Sequence, residues 1–221
     1  MVLHLQRPQA VIFDMDGLLL DSERVALAFF AQAAEELGAA WSEEIGLSMV
    51  GLNSRDSDAL LLQAFGPAYP LASLRERFGD LYEAAIHAGA IPAKPFAHEL
   101  IDTLGAMRIP CAVATSTRRF RAEAKLARAR LLPCFGALAC GDEVMRGKPA
   151  PDIFELAAAR LGVEPVNCLA LEDSNAGVRA AVSANMQVVM VPDLLKPAAD
   201  IRRYGVPCVE SLKDVLLALM D

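Results

Sequence analysis

The sequence lacks the features that are typical of nucleic-acid-binding and membrane-spanning proteins. Its 28 acidic residues outnumber its 21 basic ones, and the formal net charge at pH 7 is -7. Because phosphate backbones are bound through an excess of lysine and arginine, we expect no nucleic acid and no anionic membrane surface as a partner. No apolar run approaches the ~20 residues of a membrane helix. The first nine residues are too short and too polar for a signal peptide.

Cysteine and histidine are scarce, and their spacing is not that of a disulfide framework or a zinc site. The five cysteines include no C-x-x-C pair, their number is odd, and the three histidines form no ligand pattern. We therefore expect reduced cysteines that fill core and loop positions. Together with the absence of a signal peptide, this predicts a cytoplasmic protein.

Apolar residues, in contrast, are abundant and are organised in short runs. They make up 54% of the 221 residues, which is enough for a compact fold. Three runs each end at a polar residue: residues 10–13 before Asp14, 111–114 before Thr115, and 168–171 before Glu172. These runs, and further ones at 188–191 and 208–209, read as buried parallel strands with helical stretches between them. The pattern predicts an α/β fold with a doubly wound, Rossmann-like parallel sheet.

One region departs from this alternation of strands and helices. Between Ser22 and about Gly89 we find only helical patterns, such as apolar residues at a four-residue spacing. The simplest interpretation is a helical cap domain, residues 21–90, inserted into a core domain made of residues 1–20 and 91–221.

The polar residues that follow the predicted strands carry the chemistry. In an open parallel sheet, ligands bind beyond the carboxyl ends of the strands, so the side chains there are expected to converge. They are Asp14, Asp16, Thr115, Glu172 and Asp173, joined by Lys148 from a loop that precedes a helix. Four carboxylates at one place repel one another, which favours a hard divalent cation with oxygen ligands, and Mg²⁺ is the best candidate.

Asp14 and Asp16 have the spacing of a nucleophile and its proton-transfer partner. On extended backbone, residues i and i+2 point the same way, and Gly17 then lets the chain turn. Asp14 can attack phosphorus to give an acyl phosphate, while Asp16 protonates the leaving alkoxide and later takes a proton from water. Lys148 and Thr115 would offset charge on the phosphoryl oxygens, and Ser116 could exchange roles with Thr115.

Four short segments resemble the ordered motifs of the haloacid dehalogenase superfamily. They are Asp14-Met15-Asp16-Gly17, Thr115 after its strand, Gly147-Lys148-Pro149, and Glu172-Asp173. The resemblance is closest to the branch with a helical cap, which includes β-phosphoglucomutase and phosphoglycolate phosphatases. It implies a phosphatase that acts on a small phosphorylated metabolite through an aspartyl-phosphate. It also implies a Mg²⁺ ion held by the Asp14 carboxylate, the Asp16 backbone carbonyl and Asp173, with Glu172 in or directly beside this ligand set.

The same resemblance suggests residues that contact the rest of the substrate. The stretch from Val50 to Arg55 is similar to a cap loop whose arginine meets the distal part of the substrate, which makes Arg55 a candidate. Thr117 and Arg119 occupy positions where that branch has further polar contacts to substrate. Lys125 belongs to a basic run between residues 118 and 130, which we interpret as a solvated helix face.

Two alternatives use related chemistry. A phosphosugar mutase would share the nucleophile, but mutases of this branch carry a histidine twelve residues after it, and here that position is Ala26. A signalling receiver domain also combines a phosphorylated aspartate with threonine, lysine and Mg²⁺. The helical insert and the proton-transferring Asp16 argue against a receiver, so hydrolysis is the preferred function.

Overall fold

The core is a parallel sheet of five strands. The computed structural model describes residues 3, 5–50 and 54–220, and all strand positions below refer to this part of the chain. The strand order is β3-β2-β1-β4-β5, and every pairing is parallel. The strands are β1 (Ala10–Phe13), β2 (Cys111–Thr115), β3 (Ala137–Cys140), β4 (Cys168–Glu172) and β5 (Gln187–Met190). The register sets Val11 opposite both Cys111 and Leu169, so β1 is the central strand.

Helices α5 (Ala97–Ala106), α6 (Arg119–Arg128) and α10 (Leu212–Met220) cover one face of this sheet, and α7 (Asp152–Leu161), α8 (Asn175–Ser183) and α9 (Ala199–Arg203) cover the other. The region between β1 and α5 forms α1 (Ser22–Glu36), α2 (Glu43–Met49), α3 (Ser54–Phe65) and α4 (Leu71–Ala88). Among the described helices, none combines the length and the apolar character needed to cross a membrane.

Alternate residues of β1 belong to two different hydrophobic clusters. Val11 and Phe13 pack with residues of α5, α6 and α10, whereas Ala10 and Ile12 pack with residues of α7, α8 and α9. Because successive side chains of a strand point to opposite faces, β1 is buried on both sides. This explains its continuous apolar run and confirms the predicted doubly wound α/β fold.

The sequence prediction of the sheet was wrong at its two edges. The edge strand β3 was not predicted, because its four residues Ala-Leu-Ala-Cys are low in β propensity and, unlike the three predicted runs, are followed by a glycine and not by a polar residue. A strand at 208–209 was predicted, but Cys208 forms only an isolated bridge with Met190. Pro207 precedes it and has no backbone N–H to donate, which limits further pairing.

Helices α1 to α4 form a hydrophobic cluster of their own, while Ile86 of α4 packs into one of the two clusters of the sheet. The buried members of their own cluster lie between Phe30 and Leu74, and Trp41 packs against them. Hereafter α1–α4 are called the cap helices. A separate core supports the proposal that residues 21–90 are a cap domain.

A buried aspartate joins both chain connections of the cap helices to the core. The carboxylate of Asp193, in the loop after β5, accepts hydrogen bonds from Arg24 of α1 (2.5 Å) and from Lys94 before α5 (2.7 Å). Arg24 also donates to Asp21 (2.7 Å), at the start of the insert. These contacts fix the cap helices over the carboxyl ends of the strands.

Candidate active site

The strand ends bring the predicted residues to one edge of the sheet. Asp14 directly follows β1, and its backbone N–H donates to the carbonyl of Leu171 in β4 (2.9 Å), which extends the ladder to this point. Thr115 ends β2 and Glu172 ends β4. All three side chains are buried. Their convergence follows from parallel pairing with β1 at the centre.

Lys148 lies at the middle of this buried group. Its Nζ donates to Asp14 Oδ1, to Glu172 Oε1 (2.6 Å) and to the carbonyl of Ala114 (3.0 Å). Burial alone would lower the pKa of Lys148, but the negative charges of Asp14 and Glu172 outweigh it and raise the pKa above its ordinary value. The lysine therefore stays cationic at the strand ends, where it can meet an anion.

Glu172 is held by the start of α8. Its Oε2 accepts from the backbone N–H (2.9 Å) and the hydroxyl (3.0 Å) of Ser174, whose Oγ in turn accepts from the N–H of Gly177 (3.0 Å). A Cβ at position 177 would lie 1.6 Å from Glu172 Oε1, so only glycine leaves room there. Both oxygens of Glu172 thus accept hydrogen bonds from protein donors.

Asp16 has a different set of partners. Its carboxylate accepts hydrogen bonds from Lys125 Nζ (2.8 Å), Ser22 Oγ (2.7 Å) and Thr117 Oγ1 (2.6 Å). Burial by itself would raise the pKa of Asp16, but the charge of Lys125 and these three hydrogen bonds outweigh it and hold the pKa below its ordinary value. The carboxylate is fixed and ionised, ready to accept a proton.

Lys125 is the residue that the sequence interpretation misplaced. It was assigned to a solvated face of α6, but its side chain is only 5% exposed and ends at Asp16. Its Nζ also lies 5.0 Å from the ring centroid of Tyr82 in α4. Lys125 follows Ala122 by three residues and precedes Leu126 by one, and both are buried. That apolar periodicity was the available signal that position 125 faces inward.

The residues fit a Mg²⁺ ion that has few protein ligands. Asp173 Oδ2 lies so close to the backbone of Gly17 that a Cβ there would be 2.3 Å away. Burial, with the charges of Glu172 and Asp14, raises the pKa of Asp173. Burial also raises the pKa of Asp14, and the positive charge of Lys148 partly offsets this rise. Such crowded carboxylates gain from a divalent cation.

Within the described ranges, no three His, Cys, Asp or Glu side chains are grouped as a metal cage. The carboxylates of Asp14 and Asp173, with a backbone oxygen, are the groups that would hold such an ion. Mg²⁺ commonly binds through one or two carboxylates and keeps several waters, so this small set suits it.

The remaining predicted contacts divide into two groups. Ser116 and Thr117, next to Thr115, line a cavity between the strand ends and the cap helices. The hydroxyl of Thr117, however, donates to Asp16. Arg119 and Arg55 do not line the cavity. Arg119 pairs with Glu143 (2.8 Å) and neighbouring acceptors, and Arg55 is an exposed residue of α3. Residues 51–53 of the predicted cap loop lie outside the described residues.

A cavity of about 480 Å³ lies between the strand ends and the cap helices. Its floor includes the carboxylates of Asp14 and Asp16 and the ammonium groups of Lys125 and Lys148. Glu23 of α1 faces the same space, and burial, with the charge of Asp16, raises its pKa to about 7. The cavity therefore combines a charged floor with walls from the cap helices, which suits a small anionic ligand.

A family model described as haloacid dehalogenase-like hydrolase matches residues 11–191. The chain belongs to the haloacid dehalogenase-like hydrolases. A curated relative from Drosophila melanogaster, named "Probable pseudouridine-5'-phosphatase", is 39% identical over 190 residues, which is 82% of this chain and 80% of that protein. A relative from Thermotoga maritima, named "Phosphorylated carbohydrates phosphatase", is 32% identical over 179 residues, or 81% and 82% of the two chains.

Solved structures of haloacid dehalogenase-like proteins share the fold. The crystal structure of CbbY from Rhodobacter sphaeroides in complex with phosphate has a TM-score of 0.78 and 27% identity, and it covers 97% of this chain and 100% of that one. The match extends over sheet and cap helices together. The family that the four sequence motifs suggested is therefore confirmed.

Proposed function

We propose that this protein is a phosphatase that hydrolyses a small phosphorylated metabolite through an aspartyl-phosphate on Asp14. The observation that carries the proposal is the contrast between the two carboxylates after β1. Asp14 lies against Lys148 at the charged floor of the cavity, whereas Asp16 is held as an ionised group by Lys125, Ser22 and Thr117. Two carboxylates with separate partners can take the separate roles of nucleophile and proton-transfer group.

In the first step, an Asp14 oxygen attacks the substrate phosphorus and the bond from phosphorus to the leaving oxygen breaks. Asp16, having taken up a proton with the substrate, passes it to that oxygen, so an alcohol leaves. Lys148 and Thr115 bind the phosphoryl oxygens and offset their charge. Asp14 then carries an acyl phosphate, and Asp16 is again a carboxylate.

In the second step, Asp16 accepts a proton from a water molecule that attacks the phosphorus. The bond between phosphorus and Asp14 breaks, inorganic phosphate leaves, and the Asp14 carboxylate is restored. Lys125 keeps Asp16 ionised between the two steps, so its carboxylate is available to accept this proton. When bound, Mg²⁺ would supply positive charge between the nucleophile and the phosphate, and Asp14, Asp173 and the Asp16 carbonyl would hold it.

Several observations support water as the acceptor and a small metabolite as the substrate. Ala26 lines the cavity at the position where a related mutase would carry a histidine. The side chain at this position therefore cannot take a proton from a sugar hydroxyl that would accept the phosphoryl group. The named phosphatase relatives support a phosphorylated metabolite of low molecular weight. The unpaired cysteines support a cytoplasmic location.

The decisive experiment is a phosphate-release screen over phosphorylated metabolites, with and without Mg²⁺. Asp14→Asn should lose at least 1,000-fold in kcat, as removal of a covalent nucleophile commonly does. Asp102→Asn, at an exposed position of α5, is the matched control and should keep the parent rate. Hydrolysis by Asp14→Asn at the parent rate would refute the nucleophile. Isomerised product without free phosphate would indicate a mutase instead.

A further inference from the structure

The two ends of the cavity differ in chemistry. The floor at the strand ends is charged, as described above. The rest of the lining is mainly apolar, with Leu27, Phe30, Met49 and Phe78 from the cap helices and Leu194 and Leu195 from the loop after β5. A phosphomonoester bound with its phosphate at Lys148 must place its leaving group at this second end, so the apolar lining bears on what that group is.

Three aromatic side chains form a continuous stack along the cap side of the cavity. The rings of Phe30 and Phe78 are parallel within 8° with centroids 3.7 Å apart, and Tyr82 continues the stack 5.3 Å from Phe78. All three line the cavity, and we call them the aromatic wall. Because the rings pack against one another, the wall is preorganised and loses little conformational freedom when a ligand binds.

A leaving group that carries hydroxyls at its far end, away from the phosphate, fits this wall poorly. Its hydroxyls would leave water and meet carbon atoms, and each unmatched hydroxyl weakens binding. Among the described lining residues of the cap helices, the polar groups are Ser22, which donates to Asp16 at the floor, Glu23, Ser57, Arg75 and the hydroxyl of Tyr82. Arg75 is paired with Asp58 (2.5 Å) and lies 5.1 Å from the Phe30 ring centroid. A few polar groups beside a large apolar surface match a ring with one hydrogen-bonding edge.

We propose that the leaving group of the substrate ends in a planar ring, as in a nucleoside 5'-monophosphate, and that the aromatic wall binds this ring. The proposal rests on the proposed phosphatase function and adds the substrate class. It excludes short open-chain polyol phosphates as the preferred substrates, because their alcohols would reach the apolar end without a ring to fill it. The cavity, at about 480 Å³, lies within the usual range for sites that enclose such molecules.

The test compares substrates that differ by the ring alone. Uridine 5'-monophosphate and ribose 5-phosphate share the phosphate and the pentose, and flavin mononucleotide can be compared with ribitol 5-phosphate in the same way. We expect kcat/KM to be at least about tenfold higher for the ring-bearing member of a pair, as aromatic contacts to a base commonly give. Equal or lower values for both ring-bearing members would overturn the proposal.

Acetyl phosphate tests the phosphatase function separately from the substrate class, because its leaving group is too small to need a contact with the aromatic wall. Hydrolysis of acetyl phosphate without a ring preference would refute the substrate class but keep the phosphatase. If acetyl phosphate and every metabolite tested were stable, the phosphatase itself would be refuted, and the substrate class with it.

A pair of matched variants tests the aromatic wall directly. Phe78→Leu removes a ring that lines the cavity, whereas Phe65→Leu makes the same change at a cap ring that stacks on Tyr69 outside the lining. We expect Phe78→Leu to lower kcat/KM for uridine 5'-monophosphate about tenfold and for ribose 5-phosphate less than twofold. Phe65→Leu should leave kcat/KM unchanged for both substrates. An equal loss on both substrates in Phe78→Leu would refute a contact to the ring.

Should Phe78→Leu fail to fold, Leu194→Ala provides the same test from the core side of the cavity. It shortens a side chain of the loop after β5 and leaves the cap helices unchanged. We expect the ring-bearing substrate to lose several-fold in kcat/KM and the ring-free one to lose less than twofold. Unchanged kinetics with both substrates would contradict the proposed place of the ring.

Discussion

Replacing Lys125 by methionine separates the two chemical steps. The change keeps most of the apolar stem and removes the charge that holds Asp16 at 2.8 Å. A hydrogen bond to a charged group contributes about 1.5–3 kcal/mol, which corresponds to about 10- to 150-fold in rate. Because Lys125 keeps Asp16 ionised, and only the carboxylate form can act as a base, the loss should fall on the step in which Asp16 accepts a proton from water.

The assay is steady-state and burst kinetics with p-nitrophenyl phosphate, whose leaving group needs little protonation. We expect kcat of Lys125→Met to fall about 10- to 150-fold. The value of kcat/KM should change less than about threefold, because kcat/KM reports the first step, in which Asp14 is phosphorylated. A burst of nitrophenol should then precede slow phosphate release. The low-pH limb of kcat should move to higher pH, since loss of Lys125 raises the pKa of Asp16.

Two controls keep this result interpretable. Arg121→Met removes another basic side chain of α6, one that pairs with Glu83 and not with Asp16, and it should leave kcat unchanged. Lys125→Arg keeps the charge and should recover part of the loss. An equal fall in kcat and kcat/KM, or a fall that Lys125→Arg does not reduce while the melting temperature is normal, would refute the assigned role.

Three further predictions concern the metal and the cavity. Gly177→Ala should lower kcat/KM at least tenfold and lower Tm, because its Cβ would meet Glu172 at 1.6 Å. The control is Gly79→Ala in α4, where a Cβ has open space, and it should raise the free energy of unfolding by about 0.5–1 kcal/mol. Parent-like kinetics in Gly177→Ala would show that Glu172 does not support the site. Glu23 ionises near pH 7, so KM for a phosphate ester should rise above that pH and stay flatter in Glu23→Gln; identical profiles would contradict this. Chelation should abolish phosphate release and added Mg²⁺ should restore it, whereas activity that survives exhaustive chelation would argue against the metal.

The sequence was most informative where one physical constraint acts alone. Strand β1 is buried on both faces, so every residue from Ala10 to Phe13 had to be apolar, and the strand could be located directly. The polar residue after each such strand follows the same logic. Asp14, Thr115 and the pair Glu172-Asp173 were therefore found from local sequence, and parallel topology alone predicts that they meet.

The sequence was least informative where a residue depends on partners distant in the chain. Lys125 is separated from Asp16 by 109 residues, and in isolation a lysine among arginines is most simply a surface residue. Its inward position depends on the packing of α6 beside α4. Thr117 was assigned to substrate for the same reason, since nothing in its neighbourhood indicates that its hydroxyl bonds Asp16.

The sequence by itself determined the family, the parallel sheet and the order of the charged motifs, because strand burial and strand-end chemistry leave local patterns. Only the tertiary structure decided how the charges pair: Lys148 with Asp14 and Glu172, and Lys125 with Asp16. The tertiary structure also decided that Phe30 of α1 stacks on Phe78 of α4 and that both rings line the cavity above the strand ends. Pairing and stacking depend on distances of a few ångströms between distant segments, and such distances exist only once the chain has packed.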